Sequence, residues 1–260
     1  EMSKEKVVEN WGLLEDGLHK MTTFLSNEGI YNRQILPTNA VLAVVAALYK
    51  YIPETLDERG KAEILLKKYL WSAFFTDRYE NSAASRAFKD FTNLKNIILK
   101  KHKENGLLYH EDDVPALNRE LHAISDIDFL TKTGWPKREN IRARAIMCVA
   151  SKLGSHDFAD GQKLSVENLG NRDYHHIFPK AILQELNINP NLALNCAIIT
   201  SSTNKSLGAK APLKYIKEKY NIFDEPTIKF RLQSHLIPTT RLTEIEEYKD
   251  ADGNYLKRQF

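Results

Sequence analysis

The stretch "DYHHIFPKAIL", residues 173 to 183, places two adjacent histidines, His175 and His176, shortly before a proline in an apolar run. Neighbouring residues of a strand point to opposite faces, so a regular strand makes joint binding of one ion by both imidazoles awkward. Pro179 favours a tight turn away from the strand, which allows both side chains to reach one cleft. The segment therefore predicts a strand and a turn that together carry a chemical site.

The surrounding chain has the composition of a folded, globular protein. Its 260 residues, 42% of them hydrophobic, suffice for one large domain or two ordinary ones. The longest apolar run, residues 40 to 49, is far shorter than the roughly 20 residues of a membrane-spanning helix. The first ten residues lack the apolar core of a secretory signal. We therefore expect no membrane segment and a cytoplasmic protein.

The net charge and the two cysteines indicate which partners and which cysteine sites are expected. The net charge of +3 does not indicate a polyanionic partner, so any nucleic-acid contact must come from a local basic patch. Cys148 and Cys196 each lie in an apolar stretch with no Cys or His at ligand spacing. They are predicted to be buried free thiols, which suits a reducing compartment.

Apolar residues recur at steps of three and four through the first hundred residues, which predicts four or five packed helices. In the first helix we expect one buried face, formed by Val8, Trp11, Leu14, Leu18, Met21 and Leu25. Gly, Pro and acidic residues between positions 104 and 137 indicate a boundary, giving a helical domain at 1–125 and a second domain at 126–260. A further helix with a charged face is expected in the tail, residues 233–260.

Three interpretations of His175 and His176 compete. In the first, they are ordinary strand residues, one inward and hydrogen-bonded and the other solvated. In the second, they belong to a structural zinc site, but the nearby sequence lacks the other ligands that a closed tetrahedral site needs. In the third, they act on a phosphodiester, one as a metal ligand and the other as the base that takes a proton from water. An imidazole with a pKa of about 6.5 suits the role of base.

Two asparagines downstream favour the third interpretation. Asn195 ends a short apolar stretch, and Asn204 lies at the start of a predicted helix that is capped around Ser202 or Thr203. An asparagine side chain can brace a loop, and its amide oxygen is a hard ligand suited to Mg²⁺. The order His-His, Asn, Asn on strand, loop and helix resembles the HNH, or ββα-metal, nuclease finger over about 40 residues.

The resemblance implies a role for each of these residues. His175 would bind the metal, His176, in the form His-x-x-Pro, would be the general base, and Asn195 would brace the loop. Asn204 on the helix would be the second ligand of a Mg²⁺ or Mn²⁺ ion, and Asp173, on the same strand face as His175, is a reserve ligand. The fold implied is mainly α, a helical bundle with an inserted ββα-metal finger at about residues 171–208.

The wider context resembles the C-terminal nuclease half of GmrSD-like type IV restriction and phage-defence proteins. The stretches that carry this likeness are "LKKYLWSAFFTDRYENSAASRAFKDF", the His-x-x-Pro segment and "TNKSLGAKAPLKYI". Those proteins usually begin with a nucleotide-binding domain, for which this chain has no candidate. The chain is thus expected to be a fragment or a shortened relative.

The sequence therefore predicts a metal-dependent DNA endonuclease. Four lysines around the expected cleft are candidate contacts to the DNA backbone, namely Lys180, Lys205, Lys210 and Lys214. The alternative is a catalytically silent nucleic-acid-binding or assembly module. His156 and His235 receive no role in either case.

Overall fold

The computed structural model of the protein describes residues 4–239. Over these residues the protein is mainly helical, as expected, and the strands described there form a small antiparallel sheet of two members. The helices are α1 (Lys4–Glu9), α2 (Trp11–Asn27), α3 (Ala40–Leu48), α4 (Leu56–Phe75), α5 (Ala83–Ile98), α6 (Ile127–Thr131), α7 (Ile141–Lys152), α8 (Lys180–Glu185), α9 (Ser201–Leu207), α10 (Pro212–Tyr220) and α11 (Glu225–Gln233). The strands are β1 (Arg172–His176) and β2 (Cys196–Thr200).

The chain divides into two compact units. The helical unit comprises the residues up to Asn27 together with Pro37–Ile127, and the sheet unit comprises Glu28–Leu36 together with the chain from Asp128 onward. Beyond Thr239, the helix expected in the tail lies outside the described residues. Between positions 4 and 239, no helix has the length and apolar character needed to cross a bilayer.

In the helical unit, α3 packs against α2 and α5. Gly17 allows the close approach of α2 to α3, because a Cβ atom at this position would lie 2.6 Å from the carbonyl oxygen of Ala46. The core is formed by large side chains that are fully buried, among them Leu48, Leu66, Tyr69, Leu70, Phe74 and Leu94.

The helix expected to carry Val8 to Leu25 is divided into α1 and α2, and its expected buried face is wrong over the N-terminal half. Met21 and Leu25 are buried, but Val8, Trp11 and Leu14 are 67%, 59% and 49% exposed, and Leu18 is also exposed. Burial in α2 begins only at Gly17, where α3 comes close.

The helical unit contains a buried ion pair. Nε of Arg78 lies 2.9 Å from Oδ2 of Asp90, and both side chains are almost completely buried. Asp90 also accepts hydrogen bonds from the hydroxyl of Tyr79 at 2.6 Å and from the backbone N–H of Ala116 at 3.2 Å. Because the carboxylate is paired and hydrogen-bonded, its burial is compensated.

In the sheet unit, β1 and β2 pair with Arg172 opposite Thr200 and His176 opposite Cys196. All five residues of β2 are buried, and α9 follows the strand directly. Thr200 caps α9 by accepting a hydrogen bond from the N–H of Thr203 at 3.2 Å, so the cap lies slightly before the expected position. The core below the sheet contains Phe158, Ile177, Ala197, Ile199, Leu207, Tyr215, Ile216, Ile228, Leu232 and Ile237.

The two cysteines are buried free thiols, which confirms the prediction. Burial raises the pKa of both Cys148 and Cys196. Since the thiolate is the reactive form, neither thiol is suited to nucleophilic chemistry.

Candidate active site

The first residue pair of the candidate site joins β1 to α9. Nδ1 of His175 lies 2.8 Å from Oδ1 of Asn204. The amide oxygen can only accept, so the imidazole donates its Nδ1 hydrogen. Although 29 residues separate them in sequence, the strand pairing and the immediate start of α9 bring the two side chains into contact.

Asp173 orients the amide of Asn204. It lies two residues before His175, on the same face of β1, and its Oδ2 accepts a hydrogen bond from Nδ2 of Asn204 at 3.2 Å. This bond directs the amide oxygen toward His175. Asp173 therefore binds the amide nitrogen of Asn204. It does not lie between His175 and the amide oxygen, where the metal ion is expected.

The imidazole of His175 is buried, with 5% of its surface exposed. Burial lowers the pKa of His175, and the hydrogen bond with Asn204 opposes this effect only in part. Its Nε2 atom has no hydrogen-bond partner within the described part of the chain. The ring is thus held neutral at ordinary pH, which is the form that binds metal ions.

His176 has different surroundings, because it points to the opposite face of β1. Its ring stacks on the indole of Trp135, with ring centroids 3.9 Å apart and an interplanar angle of 10°. Nε2 of His176 donates to Oδ1 of Asn191 at 3.2 Å, which leaves the lone pair of Nδ1 as the proton acceptor. Burial lowers the pKa of His176, the contact with Asn191 raises it, and the charge of Lys180 lowers it.

Asn195 braces the segment between β1, which carries the two histidines, and β2, which precedes Asn204. Its Oδ1 accepts from the N–H of Phe178 at 2.8 Å, and its Nδ2 donates to the carbonyls of Phe178 and Pro190 at 3.1 and 3.0 Å. All three partners are backbone groups. Asn195 therefore acts on the shape of the loop that follows His176.

The four candidate lysines have different surroundings. Lys180 is exposed at the start of α8 and is close enough to influence the pKa of His176. Lys205 is exposed on α9, and Lys214 is exposed on α10. The ammonium group of Lys210 lies 2.7 Å from a carboxylate oxygen of Glu218. Lys180 is thus the lysine that the structure brings to a candidate catalytic side chain.

Sequence reasoning missed the two side chains that hold His176. Trp135 and Asn191 lie in separate loops without periodic patterning, and a backbone hydrogen bond of 2.9 Å from Ala193 to the carbonyl of Thr133 joins these loops. Each side chain reaches His176 only after the loops have met. The glycine and proline around Trp135 indicated a loop but not its partner.

A buried polar network behind β2 was also missed. Asp157 is fully buried and lies 3.8 Å from the guanidinium of Arg172. His235 is buried as well. Its Nδ1 accepts from the N–H of Ile198 at 3.3 Å, and its Nε2 donates to the carbonyl of His156 at 3.0 Å. From the sequence, His235 received no role, and Asp157 was not identified as a candidate.

The donors at the His175–Asn204 contact fit a hard divalent ion. Among residues 4–239, no group of three or more His, Cys, Asp or Glu side chains has a metal-binding arrangement, so a Cys/His zinc centre is not indicated there. The 2.8 Å between Nδ1 and Oδ1 is close to the separation of about 3 Å between neighbouring ligands of an octahedral ion at about 2.1 Å. The amide oxygen suits Mg²⁺ or Mn²⁺, whereas a neutral imidazole favours transition-metal ions, so the pair matches Mn²⁺ better than Mg²⁺.

Comparison with known proteins gives little further information on the family or the function of the chain. No family model matches the chain, and no solved structure is significantly similar to it. The chain is 25% identical over 160 residues to an uncharacterized protein of Methanocaldococcus jannaschii. This match covers 60% of the chain and 25% of the relative, so the chain spans about a quarter of that protein's length. The resemblance to ββα-metal nucleases stays a prediction.

Proposed function

We propose that the protein is a metal-dependent DNA endonuclease in which β1, β2 and α9 form a ββα-metal finger. The observation that carries this proposal is the contact between His175 and Asn204. A purely structural role explains one inward, hydrogen-bonded histidine. It does not require that histidine to meet an amide oxygen that Asp173 has oriented.

His175 and Asn204 would hold a Mg²⁺ or Mn²⁺ ion. When bound, this ion would offset the charge on the scissile phosphate and on the leaving 3′ oxygen. For ligation through Nδ1, His175 carries its hydrogen on Nε2. That atom has no hydrogen-bond partner among the described residues, so the hydrogen displaces no existing bond.

His176 takes the proton of the attacking water at Nδ1. Its other nitrogen is engaged by Asn191, and the stacked indole of Trp135 limits rotation of the ring. The resulting hydroxide attacks phosphorus in line with the P–O3′ bond. That bond breaks, and the products are a 5′ phosphate and a 3′ oxygen that takes a proton from solvent water. Lys180 contributes positive charge for the DNA backbone close to His176, the general base.

The biological setting is part of the same proposal. The sequence resemblance supports a cytoplasmic nuclease portion of a restriction or anti-phage defence protein. In that setting, a nucleotide-binding domain outside these 260 residues would accompany it.

A plasmid-nicking assay in Mg²⁺, Mn²⁺ and EDTA tests the activity. The parent protein is expected to nick DNA with either ion and not in EDTA. His176→Ala is expected to lower the rate by about 10²- to 10⁴-fold, the usual cost of losing a general base. His19→Ala, on an exposed position of α2, is the matched control and should retain the parental rate.

Two results would contradict the proposal. Parental nicking by His176→Ala would show that His176 is not the base. A parent protein that binds DNA but does not cut it with any of these ions would instead be the catalytically silent module.

A further inference from the structure

Asp157 lies in the loop between α7 and β1, and its carboxylate is fully buried at the junction of β2 and α9. Oδ2 accepts from the backbone N–H of Thr200 at 2.7 Å. Oδ1 accepts from the hydroxyl of Thr203 at 2.6 Å, and from the N–H groups of Ala159 and Asp160 at 2.9 and 3.2 Å. The carboxylate therefore links its own loop to the last residue of β2 and to the first turn of α9.

These hydrogen bonds bear directly on the position of Asn204. Thr200 is the N-cap of α9, and Thr203 immediately precedes Asn204. Holding Thr200 and Thr203 fixes where α9 begins and how its first turn is rotated. The direction of the Asn204 side chain depends on both.

The same carboxylate also lies beside the strand that carries His175. Arg172, the first residue of β1, is paired in register with Thr200, and its guanidinium lies 3.8 Å from Oδ2 of Asp157. The two elements that supply His175 and Asn204 are thus tied to one buried group.

We propose that Asp157 is the positioning residue of the candidate metal site, because it sets the start of α9 so that Asn204 meets His175. The metal-binding consequence rests on the proposed function. The effect on the contact between His175 and Asn204 does not, and it can be measured in metal-free protein.

Asp157→Asn is the informative substitution, since it preserves shape. Its amide nitrogen cannot accept a hydrogen bond, so either the Thr200 N–H or the group of three donors at Oδ1 loses its acceptor. Asp160→Asn is the matched control. It makes the same chemical change three residues later in the same loop, at an exposed side chain that accepts from Gln162.

The first measurement is NMR of side-chain amide exchange in metal-free protein. In Asp157→Asn, exchange of the Asn204 amide is expected to accelerate at least 10-fold. Exchange of the Asn195 amide, which is bonded to the carbonyls of Phe178 and Pro190, serves as an internal reference and should stay unchanged. Unchanged exchange at Asn204 overturns the proposal, as does equal acceleration at both amides.

The second measurement is Mn²⁺ binding by calorimetry. Loss of an outer-shell partner typically weakens metal binding by about 10- to 100-fold, and we expect this for Asp157→Asn but not for Asp160→Asn. If Asp157 acts through Asn204, the substitution should have no further effect in an Asn204→Ala background. An undiminished effect in that background would overturn the proposed route.

The two measurements separate the failures of the two proposals. A parent protein that neither binds Mn²⁺ nor nicks DNA contradicts the proposed function, while amide exchange still decides the role of Asp157. Should Asp157→Asn fail to fold, Thr203→Val is the milder variant. It removes the 2.6 Å hydroxyl donor to Asp157 and the acceptor of the Thr200 hydroxyl at 3.0 Å. It is expected to accelerate exchange of the Asn204 amide in the same direction.

Discussion

Acidification is expected to destabilise the sheet unit through His235. The side chain is buried, and its two nitrogens are engaged by the N–H of Ile198 and the carbonyl of His156. Burial, as the largest cause, lowers the pKa of His235 from 6.5 to about 4, and the hydrogen bond to His156 opposes the effect only in part. The imidazole therefore stays neutral in the folded protein well below the pH at which it protonates in the unfolded chain.

The direction and size of the effect follow from this difference. Between pH 6.5 and about 4, the unfolded chain binds a proton that the folded chain does not, so the free energy of unfolding falls as the pH is lowered. Each pKa unit corresponds to about 1.4 kcal/mol, and the full displacement is worth about 3 kcal/mol. This stability is present above pH 6.5 and is lost as the pH approaches 4.

The assay is urea unfolding between pH 7.5 and 4.5, with amide hydrogen exchange of β2 to assign the change to the sheet unit. His235→Gln supplies an amide that can accept and donate but does not titrate in this range, so its unfolding free energy should vary less with pH than that of the parent. His19→Gln, at an exposed histidine of α2, should vary as the parent does. Identical pH dependence in the parent and in His235→Gln would refute the reasoning.

Two further predictions concern the metal ligands and the helical unit. His175→Ala and Asn204→Ala should weaken metal binding and recover part of their nicking activity at high Mn²⁺, whereas His176→Ala should not recover, because the ion cannot replace a base. Should His176→Ala lose the metal while His175→Ala keeps it, the two roles are exchanged. Arg78→Ala should destabilise the helical unit by about 3 to 5 kcal/mol in urea unfolding, because it leaves a buried carboxylate unpaired. Lys68→Ala, which removes an exposed ion pair with Glu111, should cost no more than about 1 kcal/mol, and similar losses for both variants would contradict this account.

Periodicity predicted the helices of the first hundred residues but not which of their faces are covered. The spacing of Trp11, Leu14 and Met21 correctly places them along one helix, because side chains at steps of three and four share a face. Whether another element packs on that face depends on residues elsewhere in the chain. Here α3 approaches at Gly17, so Met21 is buried and the preceding apolar side chains are exposed.

The candidate site was predictable only for residues that lie close together in the sequence. His175 lies on a strand and Asn204 on a helix, and both elements could be predicted from one short segment of the sequence. The groups that support the site come from further away: the bond from Thr200 to Asp157 spans 43 residues, and that from Ile198 to His235 spans 37. These partners lie in loops or at helix ends. There, neither the spacing of apolar residues nor the presence of turn residues identifies a hydrogen-bond acceptor that is distant in sequence.

The alternation of β1 explains how two adjacent histidines have different surroundings. His175 faces α9 and is buried against Asn204, while His176 faces the opposite side and stacks on Trp135. A slip of one residue in the strand pairing would exchange these surroundings, since the side-chain period of a strand is two. Asp157 lies beside Arg172 and binds Thr200, the pair that sets the register at the end of the sheet. The buried carboxylate therefore helps to specify which histidine is buried beside the amide oxygen of Asn204 and which stacks on Trp135.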